Sequence, residues 1–259
     1  MEKIKFGTDG WRAIISKDFT FENVRIVAQA IAEYAKSNHK SPKIAVGYDT
    51  RFLSEKYAEL VGEVLAGNDI EVVLSDRACP TPSLSFAVVS KKLSGGVMIT
   101  ASHNPPSYNG IKYKTFFGGS AGLEIIEKIE SNLSKNPIVS ISIQEAKDKN
   151  LLKVEDICSP YIKHVKKYLD LKLLKNAKLK VLVDIMYGAG NRYMEEILSG
   201  TNCKVTTIHT EKNPSFGGIS PEPIEKNLQE LIALTKKGKF DIGLATDGDV
   251  DRIGAASPD

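Results

Sequence analysis

Between residues 19 and 35 the apolar side chains Val24, Val27, Ala28, Ile31 and Ala35 recur every three or four positions, which predicts an amphipathic helix. Residues 43–48 then form a short apolar run that predicts a buried strand. The alternation continues with a helix over 54–65, for which Ser54 is the expected N-cap, and a strand over 70–74. A helix over 82–92 tolerates Pro82 in its first turn. A strand over 96–101 follows, then a strand over 111–115 that runs back after Tyr108-Asn109-Gly110, and a helix over 123–133. Residues 135–156 are polar with weak periodicity and read as a domain boundary with some local strand.

A second series begins with a helix over 161–174. It continues as strand 179–185, the turn Tyr187-Gly188-Ala189-Gly190, a helix through Leu198 and strand 203–208. The turn-rich segment 213–223, a helix over 224–236 and a strand over 240–246 complete it. Strand and helix alternate in both halves. The expected fold is therefore α/β: two three-layer α/β/α domains with mainly parallel mixed sheets, over 1–150 and 151–259. Ligand groups in such sheets gather beyond the carboxyl ends of the strands. Two unusual segments sit at such ends, Thr100-Ala101-Ser102-His103-Asn104-Pro105 and Asp247-Gly248-Asp249-Val250-Asp251-Arg252. A cleft between the domains would let them share one site.

A length of 259 residues suits about two domains. Apolar residues at 42% and charged residues at 26% are ordinary for a globular protein. A net charge of only +3 argues against a dedicated nucleic-acid binder. Lysine dominates the basic residues, so the few arginines stand out. Arg12, Arg51 and Arg252 lie in Gly- and Asp-rich turns, where a planar guanidinium could grip phosphate. Cys79, Cys158 and Cys203 show neither disulfide nor metal spacing and read as buried thiols in a reducing compartment. The first residues carry no apolar signal core, and no run approaches the ~20 residues that cross a bilayer. The expected location is the cytoplasm, with no membrane partner.

Asp247, Asp249 and Asp251 can converge on one hard cation if the backbone turns sharply, and oxygen ligands suit magnesium, manganese or calcium. An EF-hand is excluded, because Arg252 stands where that loop needs Gly and Pro258 where it needs Glu. A solvated acidic loop is the plainer alternative. Ser102 sits on a corner stiffened by Pro105 and Pro106, and its hydroxyl could carry a phosphoryl group; a structural turn is the alternative. His103 suggests a Ser-His dyad, but neighbours in an extended segment point to opposite sides and no Gly-x-Ser-x-Gly elbow is present. Lys112 could act as a general acid or base near phosphates, or could be a plain strand lysine. Gly7-Thr8-Asp9-Gly10 is no Walker loop, yet it offers backbone N–H groups beside Arg12.

These segments together resemble the α-D-phosphohexomutase superfamily, in its phosphoglucomutase/phosphomannomutase group. The resemblance rests on the Ser102 and Asp247 segments and on Phe6-Gly7-Thr8-Asp9-Gly10-Trp11-Arg12. Asn109-Gly110-Ile111-Lys112 and Phe216-Gly217-Gly218-Ile219-Ser220-Pro221-Glu222-Pro223 also contribute. It implies that Ser102 is the phosphoserine and that Asp247, Asp249 and Asp251 hold Mg2+, with the Ser102 phosphate as a further ligand. Arg12 and Arg252 would line the reaction centre and bind substrate, and Lys112 and His103 would assist proton transfer. The implied reaction interconverts hexose 1-phosphate and 6-phosphate, with glucose 1,6-bisphosphate as intermediate and activator. Small hexose phosphates are the implied partners.

Members of this superfamily have four domains. The resemblance therefore equates 1–150 with domain I and 151–259 with domain II, with domains III and IV absent. It also implies an N-terminal portion with weak or no turnover alone. A phosphoglucosamine mutase, a non-catalytic sugar-phosphate-binding fragment and a metal-dependent phosphatase are the alternatives.

Overall fold

Thr20 stops the chain in an extended conformation and accepts a hydrogen bond from the Asn23 amide, so helix α1 begins at once, over Phe21–Asn38. Such a cap contributes about 1 kcal/mol. The computed structural model describes residues 4–7 and 10–259, so Thr8 and Asp9 of the glycine-rich opening lie outside the described residues. The chain divides into two compact units. One includes Leu53–Ala101 and Ser107–Ile157 with the residues up to Asp49; the other is Cys158–Asp259 together with Thr50–Phe52 and Ser102–Pro106.

In the first unit, β1 (Trp11–Ile14) precedes α1. Then come β2 (Lys43–Tyr48), α2 (Ser54–Gly67), β3 (Glu71–Ser75), α3 (Thr81–Ser90), β4 (Gly95–Ile99) and β5 (Tyr108–Thr115). Helices α4 (Leu123–Asn132) and α5 (Ile143–Asp148) and strand β6 (Leu152–Glu155) complete it. The six-stranded sheet has the order β1-β5-β4-β2-β3-β6. The four strands β4, β2, β3 and β6 run parallel, whereas β5 is antiparallel to both β4 and β1.

Alternation along β2 separates the two faces. Ile44, Val46 and Tyr48 join the cluster that includes α1, α2 and α4. Between them, Gly47 faces α3: a Cβ there would meet Leu84, Met98 and the Cys79 thiol. Helices therefore cover both faces of the sheet. The polar segment over 135–156 is not a bare linker. It folds as α5 and as β6, which pairs with β3 from Val72↔Leu152 to Ser75↔Glu155.

Ser54 does not cap α2. The capping residue is Leu53, in a left-handed conformation at φ 61°, and the Ser54 hydroxyl instead donates to Asp49 at 2.8 Å. Asp49 also accepts from the Thr100 hydroxyl at 2.7 Å, so the carboxyl ends of β2 and β4 are tied together inside this unit.

The second unit opens with α6 (Cys158–Val165) and α7 (Leu171–Ala177), where the sequence suggests one helix. The break falls at Asp170, whose side chain accepts from the Leu173 amide at 2.9 Å and starts a new helix. Strand β7 (Lys180–Asp184), α8 (Tyr193–Ile197), β8 (Lys204–Ile208), α9 (Gln229–Lys237), β9 (Ile242–Thr246) and β10 (Ile253–Ala256) follow. The sheet order is β10-β9-β7-β8, parallel except for β10. Leu182 and Ala245 pack with Leu231 of α9 on one face, while Val181 and Val183 pack with Met194 and Leu198 on the other. Both units are thus mixed sheets between helices. Among the described residues no helix is long and apolar enough to cross a membrane.

Candidate active site

Strand β9 delivers Asp247 into the interior of the second unit. Asp247 and Asp249 are fully buried, whereas Asp251 is exposed. One oxygen from each of the three carboxylates lies within 4.8 Å of the others. The loop keeps this shape through its own backbone: Asp247 Oδ1 accepts from the amides of Asp251 at 2.9 Å and Arg252 at 3.1 Å. Val250 sits at φ 61°, which costs roughly 1–3 kcal/mol in a β-branched residue and persists only where the surroundings hold it.

Burial, then the charges of Asp249 and Asp251, push the Asp247 carboxyl up to about 8. Three acidic groups this close repel one another, and a divalent cation relieves that repulsion. The donor set is all oxygen, as magnesium requires, so the residues present fit a hard divalent ion.

The Ser102–Pro106 loop belongs to the same unit. Ser102 is almost fully buried, and its Oγ donates to Asp247 Oδ2 at 3.0 Å. The close approach needs Gly248, because a Cβ there would lie 2.9 Å from the Ser102 carbonyl oxygen. Ser102 itself has φ 51°, a left-handed turn rather than an extended one. For that reason His103 does not point away as an extended segment would require: its Nδ1 comes to 3.5 Å from Ser102 Oγ.

Glu222 joins this group. Its Oε1 is 3.4 Å from Arg252 Nη1 and 4.0 Å from His103 Nε2. Arg252 is otherwise exposed at the loop's edge.

The structure thus brings Ser102, His103, Asp247, Asp249, Asp251 and Arg252 together in the second unit. Arg12 and Lys112 belong to the first. Arg12 lies on β1 opposite Gly110 of β5, and its Nη1 donates to the Ala101 carbonyl at 3.3 Å, one residue before Ser102. Gly110 admits this packing, since a Cβ would meet the Thr100 and Trp11 carbonyl oxygens at 2.6 and 2.7 Å. Lys112 is only 1% exposed, paired with Met98 of β4. The structure therefore rejects the plain exposed-lysine alternative.

Arg51 and Glu222 carry little signal in the sequence for the contacts they make here. Arg51 is 3% exposed and donates to the backbone of the Ser102 loop, and its only sequence signal was a turn position beside Asp49.

Domain I of phosphoglucomutase/phosphomannomutase, an α/β/α domain, matches residues 3–138, and domain II of the same family matches residues 159–259. The chain belongs to the phosphoglucomutase/phosphomannomutase family. It is 33% identical over 252 residues to a phosphoglucomutase/phosphomannomutase of Thermococcus kodakarensis, covering 95% of this chain and 54% of that protein. It is 34% identical over 248 residues to a phosphoglucosamine/phosphogalactosamine mutase of Sulfurisphaera tokodaii, covering 95% and 53%. A crystal structure from Thermus thermophilus, provisionally named a phosphomannomutase, superposes with a TM-score of 0.90 at 35% identity, over 99% of this chain and 57% of that one. The chain spans about half the length of the curated relatives it matches.

Proposed function

We propose that this chain carries the phosphoserine and metal chemistry of a hexose phosphomutase acting on glucose or mannose phosphates. Phosphorylated Ser102 gives its phosphoryl group to the free hydroxyl of a hexose monophosphate: the Ser102 O–P bond breaks and Ser102 Oγ takes up a proton, while the sugar hydroxyl loses its own as the new O–P bond forms. The resulting 1,6-bisphosphate returns its other phosphoryl group to Ser102 Oγ, which loses a proton, while the departing sugar oxygen gains one. The net change moves phosphate between C1 and C6, and Ser102 ends as it began.

A divalent cation, Mg2+ by preference, would be held by Asp247, Asp249 and Asp251 with the Ser102 phosphate, and would offset charge on the moving phosphoryl group. Arg12 and Arg252 supply guanidinium groups for substrate phosphate. Lys112 is the leading candidate for proton transfer and His103 the second, supported by its approach to Ser102 Oγ. The glucosamine phosphates are the second choice of substrate, favoured by the name of the Sulfurisphaera relative.

The observation that carries this reading is the 3.0 Å hydrogen bond from Ser102 Oγ into the acidic triplet. A plain surface turn has no reason to bury a hydroxyl there. The test is intact mass after incubation with glucose 1,6-bisphosphate and Mg2+. The protein gains one phosphoryl group, Ser102→Ala gains none, and little inorganic phosphate appears. Release of inorganic phosphate in quantity marks a phosphatase and overturns the mutase reading. A gain that persists in Ser102→Ala removes Ser102 as the carrier.

A further inference from the structure

We infer that Arg51 is a positioning residue for Ser102, and that its guanidinium fixes the loop carrying the hydroxyl. The inference rests on the reading of Ser102 as the phosphoryl carrier. Arg51 Nη2 donates to the carbonyl oxygens of Ser102 at 2.6 Å and Asn104 at 2.7 Å, and Nη1 donates to that of Pro105 at 2.9 Å. Three carbonyls from four consecutive residues therefore converge on one side chain. One face of the guanidinium is covered as well, for its central carbon lies 5.1 Å from the centroid of the Phe216 ring.

This loop needs such a tether. Pro105 and Pro106 have no backbone N–H, so the segment cannot hold itself with a ladder of its own. Ser102 is held at φ 51°, a conformation that a residue with a Cβ keeps only where its surroundings impose it. Hydrogen bonds from a charged donor are about twice as strong as neutral ones and supply the constraint.

The tether is itself anchored to the metal loop's support. Thr50, adjacent to Arg51, donates from its hydroxyl to the Tyr187 carbonyl at 2.8 Å. Two residues further on, the Ala189 amide donates to the Gly248 carbonyl at 3.0 Å. The turn after β7 thus holds both the acidic loop and the residue that holds Ser102. Guanidinium geometry matters here: its flat fork can serve three carbonyls at once while stacking on a ring, which an ammonium cannot do.

The test uses the full chain with Arg51→Gln, Arg51→Lys and Phe216→Leu. Hydrogen exchange of the Ser102, His103, Asn104 and Ser107 amides is expected to rise about tenfold or more in Arg51→Gln, with β7 and β9 unchanged. Phosphoryl uptake from glucose 1,6-bisphosphate is expected to slow about 100-fold at saturating donor while KM stays within about threefold, as for a misplaced nucleophile. Arg51→Lys recovers part of the rate, and Phe216→Leu, which keeps the hydrogen bonds, loses less than either. Unchanged loop exchange with uptake within about twofold of the wild type in Arg51→Gln overturns the inference. So does faster exchange throughout the second unit, which marks a general packing role. A phosphoryl gain that persists in Ser102→Ala sinks the phosphoserine reading by itself. The exchange pattern then still decides whether Arg51 holds the loop.

Discussion

Ser102 Oγ and Asp247 Oδ2 are 3.0 Å apart although 145 positions separate the two residues in sequence. That contact joins a hydroxyl from the corner after β4 to a carboxylate from the end of β9, inside one compact unit. It is the geometry expected of a nucleophile beside a cation site.

Asp249 is the most telling of the three carboxylates, since it is fully buried and one of its oxygens lies within 4.8 Å of an oxygen on each of the other two. The Asp249→Asn variant should bind Mg2+ at least about tenfold more weakly, as read by isothermal titration, while its thermal midpoint without metal stays the same or rises. Removal of divalent ions with a chelator should abolish phosphate uptake by the wild-type protein. Equal Mg2+ affinity in the two proteins would place the ion elsewhere.

Gly188 guards the acidic loop from behind. A Cβ there would lie 2.8 Å from the Gly248 carbonyl oxygen and 2.9 Å from that of Asp247, both backbone atoms that cannot swing aside. Gly188→Ala should cost about 1–3 kcal/mol of stability in denaturant unfolding and should weaken Mg2+ binding as the loop shifts. Wild-type behaviour in both measurements would mean that the loop gives way freely.

His209 should make the second unit sensitive to pH. Its Nδ1 lies 2.9 Å from Asp184 Oδ1 and its Nε2 3.3 Å from Glu230 Oε2. Burial disfavours the charged ring, but the hydrogen bond and charge of Asp184, with those of Glu230, outweigh it and raise the His209 pKa above its ordinary value. A raised folded value means that this stabilisation is complete below about pH 6.5 and is lost as pH rises through the folded pKa. Unfolding midpoints should fall across that window. His209→Asn should flatten the dependence, because asparagine accepts the left-handed backbone at φ 55°. An equally steep slope in the variant would assign the effect to another group.

Lys112 is enclosed within β5 at 1% exposure. Lys112→Met keeps the length and apolar stem of the side chain but removes the proton carrier. Phosphate uptake should slow by about 100-fold or more, with Mg2+ affinity unchanged. Uptake within about twofold of the wild type would leave His103 as the candidate.

Much of this was legible in the sequence, and the reasons are physical. The core strands read clearly because β2 and β7 are apolar runs bounded by turns. Ser102 and the acidic triplet stood out because each follows such a strand. The edge strands β1 and β10 did not. Ile253-Gly254-Ala255-Ala256 has no strong β-forming pattern, and antiparallel pairing with β9 creates the strand. Ser54 has the chemistry of an N-cap, but Asp49 draws its hydroxyl away. Arg51 shows only a turn position in sequence; the three carbonyls it serves lie some 50 residues further along the chain, and only the fold assembles them.

A phosphate on Ser102 and the acidic triplet should share one cation. Phosphorylated protein loaded with Mn2+ tests it directly by electron–nuclear double resonance at phosphorus. A phosphorus hyperfine coupling of the size of a directly ligated phosphate, lost in Asp249→Asn, is expected. Stoichiometric Mn2+ binding with no phosphorus coupling would contradict it.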